Sequence, residues 1–200
     1  MASHVAHRPT VLGVTGGIAM GKSTCAKQLL ACGVECHDSD ATVHRLYADL
    51  GAAVAPVSAA FGAAVLADGG RGIDRARLMA ALTNSGDIDA AFLRLEAIVH
   101  PLVTADRADW LAGQAARGAW LAAVDVPLLF ETLGDDHDFD HVLAVTCNSP
   151  DEQRRRALKR PGMTAEKLDA ILARQLDDTD RVGRADFVVD TSFVDVSAAR

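Results

Sequence analysis

The segment Gly16-Gly17-Ile18-Ala19-Met20-Gly21-Lys22-Ser23-Thr24 fits the pattern G-x-x-x-x-G-K-S/T at every fixed position. Such a loop exposes successive backbone N–H groups to phosphate oxygens, and its glycines permit the dihedrals and the close approach. A helix that starts there turns the positive end of its dipole toward the anion. Lys22 is expected to reach the β- and γ-phosphates of ATP, and the Ser23 hydroxyl is placed for Mg²⁺. The β-branched run Val11–Thr15 precedes the motif and a helix-forming stretch follows it. That context separates a phosphate loop from a chance match in a glycine turn. No N/T-K-x-D guanine signature accompanies it.

Acids follow at the positions where a parallel α/β sheet gathers its ligands, the C-terminal ends of strands. Asp38 and Asp40 stand at the end of the short strand Val34–His37. A phosphoryl acceptor hydroxyl needs a carboxylate that orients it and takes its proton. Asp40 is assigned that role; Asp38 either helps to position it or caps the next helix. Asp125 ends the apolar run Trp120–Val126, the pattern of an acid that holds Mg²⁺ through water, or else of an acid in a strand-terminal turn. Glu131, four residues after Pro127, is a pocket acid or a surface one.

Arg154, Arg155, Arg156, Lys159 and Arg160 make the dense basic run of an otherwise acidic chain. Arg156 and Arg160 share one helix face at i and i+4. Pro161-Gly162 then turns the chain before Thr164. A basic hairpin of two helices suits a lid that neutralises a transferring phosphoryl group and excludes water. His100-Pro101 is by itself the end of a helix, and the remaining histidines show no metal-ligand spacing. Cys25, Cys32, Cys36 and Cys147 form no CxxC pair and are taken as small buried hydrophobes of a reducing compartment.

The elements that must position these groups alternate. Strands are expected at 11–15, 34–37, 120–126, 142–147 and 187–190. Helices are expected at 22–32, from Ser149-Pro150-Asp151-Glu152 onward, and from Thr164 to about Leu176. Residues 41–118 read as mostly helical, with Pro101 interrupting a long helix or starting a new one. The pattern gives an α/β fold, a three-layer sandwich of a five-stranded parallel sheet with helices on both faces. It forms a single domain: a core of about 10–40, 119–150 and 177–200, an inserted helical lobe of about 41–118 and a lid of about 151–176. The chain has 200 residues, is 50% hydrophobic and only 4% aromatic, and carries a formal charge of −7. Charge and aromatic content argue against a nucleic-acid binder. No apolar run approaches the roughly 18 residues of a membrane span. Met1–Pro9 lacks the apolar stretch of a signal peptide. A cytoplasmic protein that is a monomer or a weak homo-oligomer is expected.

Further segments carry a resemblance. Thr15-Gly16-Gly17-Ile18 leads into the loop, and Asp38-Ser39-Asp40 follows it. Phe61-Gly62, Gly72-Ile73-Asp74-Arg75, His100-Pro101-Leu102 and Val126-Pro127-Leu128-Leu129-Phe130-Glu131 come next. Gln153 to Arg160, Gln175, Arg181 and Ala185-Asp186 complete the set. Together they resemble the dephospho-coenzyme A kinase family over about Val11 to Asp190. The resemblance implies a P-loop kinase that phosphorylates the ribose 3′-hydroxyl of dephospho-CoA with ATP. Asp40 would be the catalytic base and Arg156 and Arg160 would lie in the lid. The helical lobe would carry much of the dephospho-CoA site, including Asp74, Arg75 and His100. Three features depart from the family pattern. Ala19-Met20 stands where Gly-Ser is usual. Asp190-Thr191-Ser192-Phe193 replaces an Asn- and Gly-containing turn close to the adenine. The family normally continues past the equivalent of Arg200 through a further helix. The alternatives to this reading are another nucleoside or nucleotide kinase and a non-catalytic nucleotide-binding regulator.

Overall fold

The computed structural model describes residues 8–193. Expectations about the first seven residues and about the stretch after Phe193 lie outside them. The chain forms two compact units, one made of residues up to His37 and from Gly113 onward, the other of Asp38–Ala112.

In the first unit, strands β1 (Thr10–Thr15), β2 (Cys36–Asp38), β3 (Leu121–Asp125), β4 (His141–Thr146) and β5 (Phe187–Asp190) form a parallel sheet of order β2-β3-β1-β4-β5. The near-continuous apolar runs of β1, β3 and β4 are buried, as a sheet covered on both faces requires. All four residues of β5, at the sheet's edge, are exposed. Register sets Val14 beside Asp125 and Thr15 beside Ala144, so the segment after β1 leaves the middle of the sheet at its C-terminal edge. Helix α1 (Lys22–Ala31) packs Leu29 and Cys25 over Leu12, Val14, Ala123 and Val145.

Several boundaries differ from the sequence expectation, each for a local reason. The second strand begins at Cys36 because Val34 closes α1. Its N–H donates to the Leu29 carbonyl at 2.9 Å, with Gly33 left-handed at φ 80°. Trp120, expected in a buried strand, is 75% exposed, and β3 begins one residue later. Helix α7 (Pro150–Leu158) starts at the expected cap, where Ser149 accepts from the Glu152 N–H. Helix α8 (Ala165–Leu172) stops short of Leu176, because Gln175 and the Leu176 N–H are drawn to partners outside the helix. Two short helices were not anticipated, α6 (Leu129–Leu133) and α9 (Asp178–Arg184).

The second unit contains α2 (Ser39–Tyr47), α3 (Val54–Phe61), a 3₁₀ turn (Ala63–Val65), α4 (Arg75–Thr83) and most of α5 (Ile88–Ala116). Tyr47, Val57, Val65, Leu78, Leu82 and Val99 form its core. Helix α5 runs unbroken for 29 residues with Pro101 inside it. The proline costs one helical hydrogen bond, and Ile98, Val99, Leu102 and Val103 on either side stay packed on the core.

Candidate active site

The loop after β1 is shaped by what stands behind it. A Cβ on Gly16 would lie 2.5 Å from the Val145 carbonyl oxygen, so no other residue fits against β4 there. Gly21 has φ 97° and caps α1 with no side-chain bond. The first turn of α1 holds no acidic residue, and the N–H groups of Ala19, Gly21, Lys22 and Ser23 have no backbone partner among the described residues. Unpaired amides, a helix N-terminus and the absence of a competing carboxylate are what an anion of high charge needs. Lys22 Nζ lies 3.0 Å from Asp125 Oδ1, with 15% of each side chain exposed. The β1–β3 register makes that pair possible. Asp125 also acts on Cys25: burial first, and then the Asp125 charge, push its thiol up from its usual range. The Ser23 hydroxyl has no hydrogen-bond partner among the described residues. Ser23 and Asp125 thus supply hard oxygen donors beside the loop, the donor type that Mg²⁺ takes.

Side chains from distant parts of the first unit hold this loop. The Ile18 N–H donates to Gln175 Oε1 at 2.9 Å, and Gln153 Nε2 donates to the Ile18 carbonyl at 3.0 Å. The Thr191 hydroxyl donates to the Met20 carbonyl at 2.7 Å. Arg156, 9% exposed, donates through Nη1 to that hydroxyl and through Nη2 to the Thr191 carbonyl, at 2.9 and 2.7 Å. Its Nε reaches Glu152 at 2.7 Å. Bonds first from Arg155 and then from Arg156 pull the Glu152 carboxyl down to about 2. Arg181, 1% exposed, donates to Glu131, Asp178 and the Leu176 carbonyl. Beside Gly17 and Met20 a cavity of about 390 Å³ opens, lined by Cys147, Gln153, Gln175 and Arg181 among others.

Arg156 is therefore placed otherwise than a free lid arginine, because three of its nitrogens are engaged with Glu152 and Thr191. Arg160 is exposed just beyond α7, with no ion-pair partner among the described residues. Arg154 pairs with Asp169 and Arg155 with Glu152. Glu131 is exposed, but its carboxylate is not free. It accepts from the Leu176 N–H at 2.8 Å and from Arg181 at 3.2 Å.

In the second unit, Asp38 caps α2 by accepting the Ala41 N–H at 2.9 Å. Asp40, in the first turn of that helix, is exposed with no partner among the described residues. Asp74 caps α4 and accepts from the N–H groups of Ala76 and Arg77. Those bonds, together with the Arg77 charge, hold its carboxyl below the usual range despite some desolvation. Arg75 begins α4 and lines a cavity of about 350 Å³ with His44, Tyr47 and Arg71. His100 is exposed on α5.

The loop residues Gly16–Thr24 and Asp125 come together in the first unit. Asp38, Asp40, Asp74, Arg75 and His100 belong to the second. Gln153, Gln175, Thr191 and Arg181 carry no chemical signature of their own in the sequence. Gln153, Gln175 and Arg181 stand in segments that carried the family resemblance, while Thr191 lay within a departure from it. No residue spacing links any of them to Ile18 or Met20.

The family model of dephospho-CoA kinase (CoaE) matches residues 10–195. A dephospho-CoA kinase of Rhodopseudomonas palustris strain CGA009 is 50% identical over 182 residues, covering 91% of this chain and 86% of the relative. That of Mesorhizobium japonicum is 50% identical over 181 residues, covering 90% and 87%. Among solved structures, a protein of Thermus thermophilus superposes with a TM-score of 0.75 at 30% identity, covering 92% of this chain and 89% of that one. Dephospho-CoA kinase from Campylobacter jejuni shares the fold at a TM-score of 0.61 and 20% identity, covering 96% and 92%. With its phosphate loop, its parallel sheet and these relatives, the chain belongs to the dephospho-CoA kinase family: it is a P-loop kinase of the last step of coenzyme A biosynthesis, with ATP as co-substrate.

Proposed function

We propose that Asp40 takes the proton of the ribose 3′-hydroxyl of dephospho-CoA as that oxygen attacks the γ-phosphorus of ATP. The bond from the γ-phosphorus to the β,γ-bridging oxygen breaks, and ADP leaves. The amides of the Gly16–Thr24 loop bind the β- and γ-phosphates. Lys22 exchanges Asp125 for those oxygens and neutralises charge there. Ser23 and Asp125 would hold Mg²⁺, which would supply screening of the phosphate oxygens when bound. Arg160, with no ion-pair partner among the described residues, is the lid arginine readiest to meet the transferring group. Arg156 must first release Thr191 and Glu152. Asp38 keeps the first turn of α2, and with it Asp40, in place. Asp74, Arg75 and His100 serve the dephospho-CoA side, Asp74 by fixing the start of α4. Glu131 serves it indirectly, by holding Arg181 and the end of the lid segment. The enzyme works in the cytoplasm as a monomer or weak homo-oligomer, without nucleic acid. Among the described residues no helix is long and apolar enough to cross a membrane.

The observation that carries the nucleotide half of this reading is the set of amides at Ala19, Gly21, Lys22 and Ser23 that have no backbone partner among the described residues, beside the Lys22–Asp125 pair. A coupled assay of ADP release tests the whole. Release should require dephospho-CoA, and Lys22→Ala should abolish it. ADP release that ignores dephospho-CoA, or that survives in Lys22→Ala, contradicts it.

A further inference from the structure

Ile18 has both of its backbone groups held by side chains. Gln175 accepts its N–H at 2.9 Å, and Gln153 donates to its carbonyl at 3.0 Å. Gln153 lies on α7, and Gln175 lies just beyond the end of α8, so the two flank the α7–α8 hairpin. The approach is close. A Cβ on Gly17 would stand 3.1 Å from Gln175 Oε1 and 3.4 Å from Arg181 Nη1. The next residue joins the hairpin by packing: Ala19 is buried against Ala157 of α7 and Leu168 of α8, beside Ile18 and Met163. Ala19 also adopts a left-handed φ of 60°, a conformation that a side chain disfavours. A neighbouring peptide that is firmly fixed helps to keep such a residue in place.

We infer that Gln153 and Gln175 are positioning residues for ATP: together they fix the peptide groups on either side of Ile18 so that the amides of Ala19, Gly21, Lys22 and Ser23 stay aligned on one anion, and they tie that alignment to both ends of the hairpin. This rests on the reading of the loop as the ATP phosphate site. Without the clamp the loop must order itself when the nucleotide arrives, and the entropy of that ordering is lost from affinity. The chemistry of the two positions is opposite. Position 175 must accept and position 153 must donate. A glutamate at 175 keeps its acceptor, with Arg181 Nη1 on the same side of Gly17 to meet the charge. A glutamate at 153 turns a carboxylate oxygen against the Ile18 carbonyl.

The test is calorimetric ATP binding by the full chain, with KM for ATP and for dephospho-CoA measured in parallel. Gln153→Leu and Gln175→Leu should each weaken ATP binding by about 5- to 30-fold and leave KM for dephospho-CoA within about 2-fold. The double variant should be scarcely worse than the weaker single, since both hold one residue, Ile18. Gln175→Glu should recover most of the affinity and Gln153→Glu none. ATP affinity unchanged in the leucine variants overturns the inference. So do losses that multiply in the double variant, and so does Gln175→Glu failing as badly as Gln175→Leu. Lys22→Ala separates the two failures. If Lys22→Ala loses ATP while the glutamine variants keep it, the clamp is wrong and the loop reading stands. If Lys22→Ala binds ATP normally, the loop reading itself is wrong.

Discussion

In the loop Gly16–Thr24 the groups offered to a phosphate are backbone amides, and side chains from α7, from the stretch after α8 and from the stretch after β5 hold the backbone that carries them. In the first turn of α2 the group on offer is a side chain, Asp40, and its setting is local. Asp38 caps the helix, and the Asp40 carboxylate has no hydrogen-bond or ion-pair partner among the described residues. One working surface is built by long-range bonds and the other by a cap three residues wide. Changes around the loop should therefore move nucleotide affinity and stability together. A change at Asp40 should move the chemical step alone.

The largest effect expected is on turnover. Asp40→Asn keeps the helix and its cap and removes the proton acceptor, so kcat should fall by about 10²- to 10⁴-fold while the Kd for ATP stays within about 2-fold. Calorimetry beside steady-state kinetics checks it. A loss of ATP affinity equal to the loss in kcat would break the contrast between the two regions.

Arg156 and Arg160 sharpen the comparison next. They are four residues apart in one basic run, yet one is buried in a network and the other is open to solvent. Arg156→Met strips donors from Thr191 and a partner from Glu152. It should cost about 2 kcal/mol, below the range for a fully buried pair because Glu152 keeps Arg155, and lower Tm by roughly 4–8 °C. Arg160→Ala should leave Tm within about 1 °C, as a surface change does, and lower kcat. Equal thermal shifts in the two variants would refute the distinction. The capping acid Asp38 gives a smaller change. Asp38→Ala should cost about 1 kcal/mol, and Asp38→Asn, which keeps an acceptor, well under half of that.

The sheet was legible in the sequence because parallel strands buried on both faces must be apolar runs, and those of β1, β3 and β4 are. The phosphate loop was legible because its amides demand glycines at fixed spacing. Capping carried further information: Asp38, Ser149 and Thr164 stand at helix starts where their residue types forecast them. What was not legible depends on bonds between segments far apart in the chain. Nothing near Gln175 or Gln153 says that Ile18 is their partner, since the contacts span 157 and 135 residues. Arg156 looks like its exposed neighbours until Thr191 is brought against it. Helix α9 is hidden in the sequence although Asp177 is an ordinary cap, because the pattern of α8 reads on to Leu176. The substitution of Ala19-Met20 for Gly-Ser reads as a defect in one dimension. In three, the Ala19 methyl is buried against α7 and α8, and the Met20 carbonyl is bonded by Thr191.

The smallest expected effect concerns acid, and it follows from Glu152. Its carboxyl is held at about 2 in the folded chain, against an ordinary value of 4.5, by Arg155 first and Arg156 second. A carboxyl depressed by folding contributes stability that is complete above its ordinary value and is lost as the pH falls through its folded one. Glu152→Gln removes that dependence, since the amide does not titrate. The Tm of the wild type should exceed that of Glu152→Gln by a constant margin from about pH 6 to pH 5, and the margin should narrow below about pH 4.5. The group is partly exposed, so the margin should also shrink in added salt. The same acid holds Arg156, which holds Thr191 against the Met20 carbonyl. Loss of ATP affinity should therefore follow the narrowing margin in the wild type more steeply than in Glu152→Gln, where the arginine is already released. Parallel pH profiles for the two proteins, in both Tm and ATP binding, would cut the link from Glu152 to the loop.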